Sequence, residues 1–157
     1  MQKLVTCLGF NDQAEAAVKF YTSVIPNSKI LSMTRHGDAG PGPKDALLAA
    51  SFELNGQEFM ALNGGPSFTF SVGTSIMIKC DTQAEVDALW DKLSDGGRQV
   101  QCGWVTDRFG LSWQIVPRIL PELLSDPNPK KSQSVMRAML QMQKLDIAQL
   151  QAAHESA

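Results

Sequence analysis

The chain is 157 residues long and carries 14 basic against 16 acidic side chains, a formal net charge of -2. That length suits one domain with a substantial core, and the charge balance lacks the basic excess expected of a nucleic-acid binder. Apolar residues make up 43% and charged residues 19%, a globular composition, and with only two histidines, His36 and His154, a histidine-rich metal centre is hard to build.

The first element is a strand over 4–10, where β-branched and apolar residues mix. Asn11 or Asp12 is expected to cap a helix running to about residue 24, with Ala14, Ala17, Val18 and Tyr21 along one face. Pro26 and Asn27 stop it, and a second strand covers 29–35. The stretch 36–43 holds three glycines and two prolines in eight residues, so it is a loop, suited to a mobile flap or to an idle surface excursion. Strands over 47–54 and 57–63 are joined by Asn55-Gly56, a strong hairpin signal.

The second half repeats this order. A strand over 74–79 precedes a helix capped by Asp81 or Thr82 and ended by Gly96-Gly97, and strands follow at about 98–101, 104–106 and 111–116. Gln13-Ala14-Glu15 recurs as Gln83-Ala84-Glu85 at an offset of 70, and Phe20 recurs as Trp90 at the same offset. The hairpin glycines Gly56 and Gly110 correspond at an offset of 54, each followed three residues on by an aromatic, Phe59 and Trp113. The chain therefore proposes two tandem units of strand, helix and three strands. Beyond Pro117 a short turn of helix over 120–124 and a stiff polar linker over 126–131 lead to Val135, Met139 and Met142 at helical spacing. Asp146 can cap a last helix carrying Ile147 and Leu150. This tail is read as packing on its own domain or on a dimer partner.

The longest purely apolar run, 46–50, is far short of the roughly 20 residues that span a bilayer, so no membrane partner is expected. Cys7, Cys80 and Cys102 form no Cys-x-x-Cys pair and read as free thiols of a reducing compartment. With no leader-like N-terminal segment, a cytoplasmic location is expected. Nothing local supports Cys102 and His36 as a nucleophile and base. Glu53, Glu58 and Asp107 lie near strand ends, and Asp107 precedes a turn, where an Asp normally caps backbone amides. Gln114, between apolar strand neighbours, must find hydrogen-bond partners, and a ligand can be one of them. Trp104 and Trp113 flank the same turn and face opposite sides on strand alternation, one free to stack on a ligand and the other packing in the core.

Several stretches carry a family resemblance: 14–17 with Phe20-Tyr21-Thr22, 52–57, 62–66, 83–87 and 90–93, and above all the run CGWVTDRFGLSWQIVP over 102–117, with 135–142 in the tail. On these residues the chain resembles the PhnB-like family, often labelled 3-demethylubiquinone-9 3-methyltransferase, of the glyoxalase/bleomycin-resistance/dioxygenase (vicinal oxygen chelate) superfamily. The resemblance implies an α+β fold of tandem paired βαβββ modules with a C-terminal helical tail. A single domain would comprise module one at about 1–66, module two at about 73–117 and the tail at about 118–157. It further implies a pocket enclosed by the two modules, a homodimer, and, in metal-dependent relatives, four strand side chains holding a divalent ion that acts as a Lewis acid.

Carried over residue by residue, the four positions fall on Thr6, Met60, Ser75 and Gln114. None supplies an imidazole or a carboxylate, so neither a metal nor any other cofactor is expected. Adenosylmethionine domains ordinarily use a Gly-rich turn between a strand and a helix, and neither Gly64-Gly65 nor Gly96-Gly97 opens a helix after a strand. The resemblance thus leads to a metal-free cleft that binds a small apolar or aromatic molecule through Thr6, Met60, Ser75, Trp104 and Gln114. The competing readings are an enzyme, either a degenerate isomerase, lyase or dioxygenase or the methyltransferase of the label, and a partner-protein surface on the tail.

Overall fold

The computed structural model describes residues 3–157 and divides into two compact units, Met1–Phe70 and Ser71–Ala157. Unit one runs β1 (Thr6–Phe10), α1 (Ala14–Val24), β2 (Lys29–Arg35), β3 (Leu47–Leu54) and β4 (Gln57–Asn63). Its four strands form one sheet in the order β1-β4-β3-β2, with β1 parallel to β4 and the other pairs antiparallel. Apolar residues of α1 recur every three or four positions, so Ala14, Ala17, Val18, Tyr21 and Val24 are buried along one side of the helix. They cover a sheet face built from Leu8, Phe10, Ala50, Phe52, Leu54, Phe59 and Ala61, all buried, with Phe52 and Phe59 stacked at 5.6 Å.

The start of α1 differs from expectation. Neither Asn11 nor Asp12 caps it: Gln13 occupies the cap position without a side-chain bond, and Asn63 Oδ1 accepts from Ala14 N–H at 2.9 Å. The end of β4 does the work of a local cap because the sheet brings Asn63 beside β1, its register partner being Phe10. Asn63 also donates to the Leu47 carbonyl at 3.3 Å, tying helix and β3 together.

Unit two repeats the plan with β5 (Ser75–Cys80), α2 (Gln83–Ser94), β6 (Arg98–Gln99), β7 (Trp104–Thr106) and β8 (Ser112–Pro117), in the sheet order β5-β8-β7-β6. Thr82 caps α2 by accepting from Glu85 N–H, and Glu85 reaches back to Asp81 N–H, so two otherwise unpaired donors are satisfied. The strand expected over 98–101 is only two residues long, because Gln101, Cys102 and Gly103 turn sharply, Cys102 at φ 58° and Gly103 at φ 85°. Asp107 is 3% exposed and accepts from Phe109 N–H, Leu111 N–H and the Trp113 indole at 2.8, 3.1 and 2.8 Å, the capping role its place before a turn implied.

The tail adds α3 (Ile119–Leu124), α4 (Pro129–Leu140) and α5 (Ile147–Glu155). What read as a stiff linker over 126–131 is in part the first turn of α4. Asn128 caps it and Pro129 occupies a first-turn position, where its missing N–H is no loss. Asp146 caps α5 as expected. Val135, Met142, Leu145 and Leu150 join Leu120, Leu123 and Val116 in a buried cluster, so the tail packs on its own unit. Gln83 holds it from the side, donating to the Leu145 carbonyl and accepting from Ile147 N–H at 3.0 and 2.8 Å. Among the described residues no helix is long and apolar enough to cross a membrane.

Candidate functional site

Each sheet has one face on its helix and one face turned away from it, and strand alternation decides which residues lie on the latter. In unit two, Met77 is the register partner of Gln114, and Gln114 that of Trp104. Ser75 lies two residues from Met77 and so on the same face. Gln114 Nε2 donates to Ser75 Oγ at 2.9 Å, which leaves the amide oxygen as an acceptor and the serine hydroxyl as a donor. Ser75, Trp104 and Gln114 are all partly exposed, and Met77 is 49% exposed. Trp113 and Val105 pair on the opposite face, both fully buried, so the two tryptophans do face opposite sides. Three of the expected site residues, Ser75, Trp104 and Gln114, are therefore brought together.

In unit one the expectation needs a correction. Met60 lies on the face away from α1, since its neighbours Phe59 and Ala61 are buried against the helix side. Thr6 does not share that face: its register partner is Phe59, and it alternates in phase with buried Leu8 and Phe10. The partner of Met60 is Cys7. A register slip of one residue moves a side chain to the other face, and the position carried over onto the first strand was out by that one residue. At the repeat offset of 70, Cys7 corresponds to Met77, so the equivalent cross-strand pairs are Cys7 with Met60 and Met77 with Gln114.

These side chains offer a thiol and a thioether in unit one and a thioether, an amide and a hydroxyl in unit two. That donor set does not fit the divalent ion of metal-dependent relatives, which takes imidazole and carboxylate ligands. Among the described residues no three of His, Cys, Asp or Glu gather where they could hold a metal ion. The glycine pairs are equally unsuited to a nucleotide. The N–H groups of Gly64 and Gly65 donate to the carbonyls of Phe10 and Asn11, and a Cβ on Gly97 would lie 2.1 Å from the Thr106 carbonyl oxygen. Only Gly97 is set by a close approach of backbone: Gly64 lies under the Phe68 side chain, and Gly65 and Gly96 have left-handed φ of 93° and 74°.

One residue of the unit-one face escaped the sequence reading. Phe68 follows β4 in irregular chain, yet its ring lies over Gly9 and Gly64, where added Cβ atoms would come within 2.3 and 2.5 Å of it. Gly9 is on the Cys7 side of β1, so the ring lies on the face away from α1. Phe70 packs on the other face, edge-on to Phe10 at 5.2 Å. Phe68 and Phe70 alternate with polar residues as in a strand, yet the chain there is irregular, so the pattern did not place either ring.

Comparison with known proteins places this fold. The family model described as 3-demethylubiquinone-9 3-methyltransferase matches residues 2–116. The chain belongs to that family. The PhnB protein of Bacillus cereus is 36% identical over 74% of this chain and 99% of its own, with a TM-score of 0.69. A Pseudomonas aeruginosa protein is 26% identical over 74% of this chain and 98% of its own, with a TM-score of 0.62. FosX of Listeria monocytogenes, a fosfomycin resistance protein whose structure holds Mn(II) and sulfate, is 13% identical over 78% of this chain and 99% of its own. Its TM-score of 0.52 reflects likeness of fold alone. No curated protein matches. The PhnB-like family expected from the sequence is thereby shown, as is the α+β fold. The family model stops at Val116, so α3, α4 and α5, including the resembling stretch 135–142, lie outside it.

Proposed function

We propose that this family member binds a small apolar or aromatic molecule on the unit-two sheet face turned away from α2, without a metal ion. The observation that carries this reading is the Gln114–Ser75 pair: a polar couple on a sheet face, bonded at 2.9 Å, partly exposed and opposite the partly exposed Trp104. An amide acceptor and a hydroxyl donor set beside an indole and the Met77 thioether suit a ligand that is mostly apolar with one or two polar groups. Met60, with Cys7 beside it in place of Thr6, lies on the corresponding face of unit one, which is read as binding in the same way. A homodimeric, cytoplasmic protein with no nucleic-acid or membrane partner completes the reading. The superfamily's metal-assisted chemistry would need donors that these positions do not supply, so the proposal assigns binding and no reaction.

The test begins with the protein as purified. Native mass spectrometry, followed by extraction, should reveal a bound apolar or aromatic molecule. Titrating that molecule against Gln114→Ala should show roughly two- to tenfold weaker binding, the loss of one hydrogen bond between neutral groups. Unchanged affinity would remove Gln114 from the site, and stoichiometric Zn, Mn or Fe would overturn the metal-free claim. Adenosylmethionine at saturation should leave the melting temperature unmoved, since only a ligand of the native state raises it.

A further inference from the structure

We infer that Phe68 is an aromatic platform that selects planar ring ligands on the unit-one face. The inference rests on the binding reading above and names the class of ligand. Two glycines make room for the ring, and any side chain at either would collide with it: a Cβ at Gly9 would lie 2.3 Å from Phe68 Cδ2, and one at Gly64 would lie 2.5 Å from Cε2. Neither glycine has a left-handed backbone that would require it, so the ring itself accounts for both. Gly9 lies within β1, where a glycine weakens a strand because it brings no side chain to pack. The seat does not bury the ring, and Phe68 remains 42% exposed. A phenylalanine needed only to anchor its segment would be covered, as Phe70 in part is against Phe10.

The surroundings grade along the sheet. Gly9, beneath the ring, is in register with Leu62, and Leu62 with Ala49. The next row is Cys7, Met60 and Ser51, and beyond it Glu58 faces Glu53. Ser51 donates to Glu58 Oε1 at 3.4 Å, and Glu53 lies 3.9 Å from the Lys29 ammonium. From ring to carboxylates the face passes from aromatic through thioether to polar groups, about 13 Å over four strand positions. A flat ring over Phe68 with a hydroxyl directed along β4 meets the row of Cys7, Met60 and Ser51, about 7 Å along the strand. Flat rings stack on an aromatic face at an offset, and a puckered saturated ring of the same size cannot.

The experiment uses the full chain and a matched pair of probes, 2-naphthol and decahydro-2-naphthol, titrated by calorimetry and by the 13C-methyl signals of the methionines. The wild type should bind the planar probe about three- to tenfold more tightly and shift the Met60 methyl. Phe68→Leu should abolish that preference while leaving the saturated probe within about twofold, and Phe68→Tyr should retain it. Gly64→Ala, which keeps the phenyl group but displaces it, should lose the preference as Phe68→Leu does. If Phe68→Leu binds the probes with the wild-type preference, the platform is overturned while the binding reading stands. If neither probe binds the wild type, the platform is overturned. Only an unchanged affinity of Gln114→Ala for the co-purified molecule, together with no shift at any methionine, also removes the binding reading.

Discussion

Asp107→Asn changes one atom of a buried side chain, and the hydrogen bonds around it set the outcome. Oδ1 accepts from two backbone N–H groups and Oδ2 from the Trp113 indole, with Leu111 and Trp113 fully buried. Asparagine supplies one acceptor and one donor. With its oxygen on the backbone pair, its amide N–H2 faces the indole N–H, donor against donor, and rotating the amide moves the conflict onto the two backbone groups. Stranding one buried donor costs about 1–3 kcal/mol, and losing the charge weakens the remaining bonds, so the variant should be destabilised by about 2–4 kcal/mol. Urea unfolding followed by far-ultraviolet circular dichroism measures this as a lower midpoint at unchanged slope. Trp113→Phe removes the conflicting donor, so in the double variant the two costs should fall short of their sum by about 1–2 kcal/mol. A loss under about 0.5 kcal/mol for Asp107→Asn, or strict additivity, would refute the reasoning.

Two further outcomes follow from charge and burial. Arg35 and Lys19 donate to Glu15 and hold its pKa at about 2 rather than the ordinary 4.5, Arg35 being the larger cause. Because the folded value is depressed, its contribution to stability is present above pH 4.5 and lost as pH falls through about 2, and a carboxyl NMR titration should show Arg35→Gln returning the midpoint toward 4.5. Burial, with a smaller effect from the Glu85 and Asp81 carboxylates, pushes the Cys80 thiol up to about 11, whereas Cys7 is exposed. A disulfide reagent at about pH 8 should therefore label Cys7 promptly and Cys80 only on unfolding, and equal rates would contradict the burial of β5's last residue.

Most of the architecture was legible from local patterning. The bounds of β2, β3, β4 and β7 coincide with the strands read from alternation and turn residues, and Thr82 and Asp146 cap the helices they precede. The internal offsets of 70 and 54 anticipated two sheets of identical strand order, because equivalent residues must meet equivalent neighbours in each unit. Of the residues expected at the candidate site, Gln114, Ser75 and Trp104 share the face away from α2, since side chains two apart on a strand or paired across strands point the same way.

What escaped was whatever distant segments settle between them. Thr6 and Cys7 are adjacent, and only pairing with β4 shows that Cys7 stands beside Met60. Asn63 caps a helix 49 positions before it, and Phe68 reaches back to Gly9, contacts with no signature in the spacing of neighbouring residues. The tail joined unit two for the same reason, through Gln83 and the Val116 cluster. Backbone propensity and hydrophobic period act over a few residues and so specify the elements. Register, caps from afar and the seating of a ring depend on which elements meet, and that is decided when the sheets close.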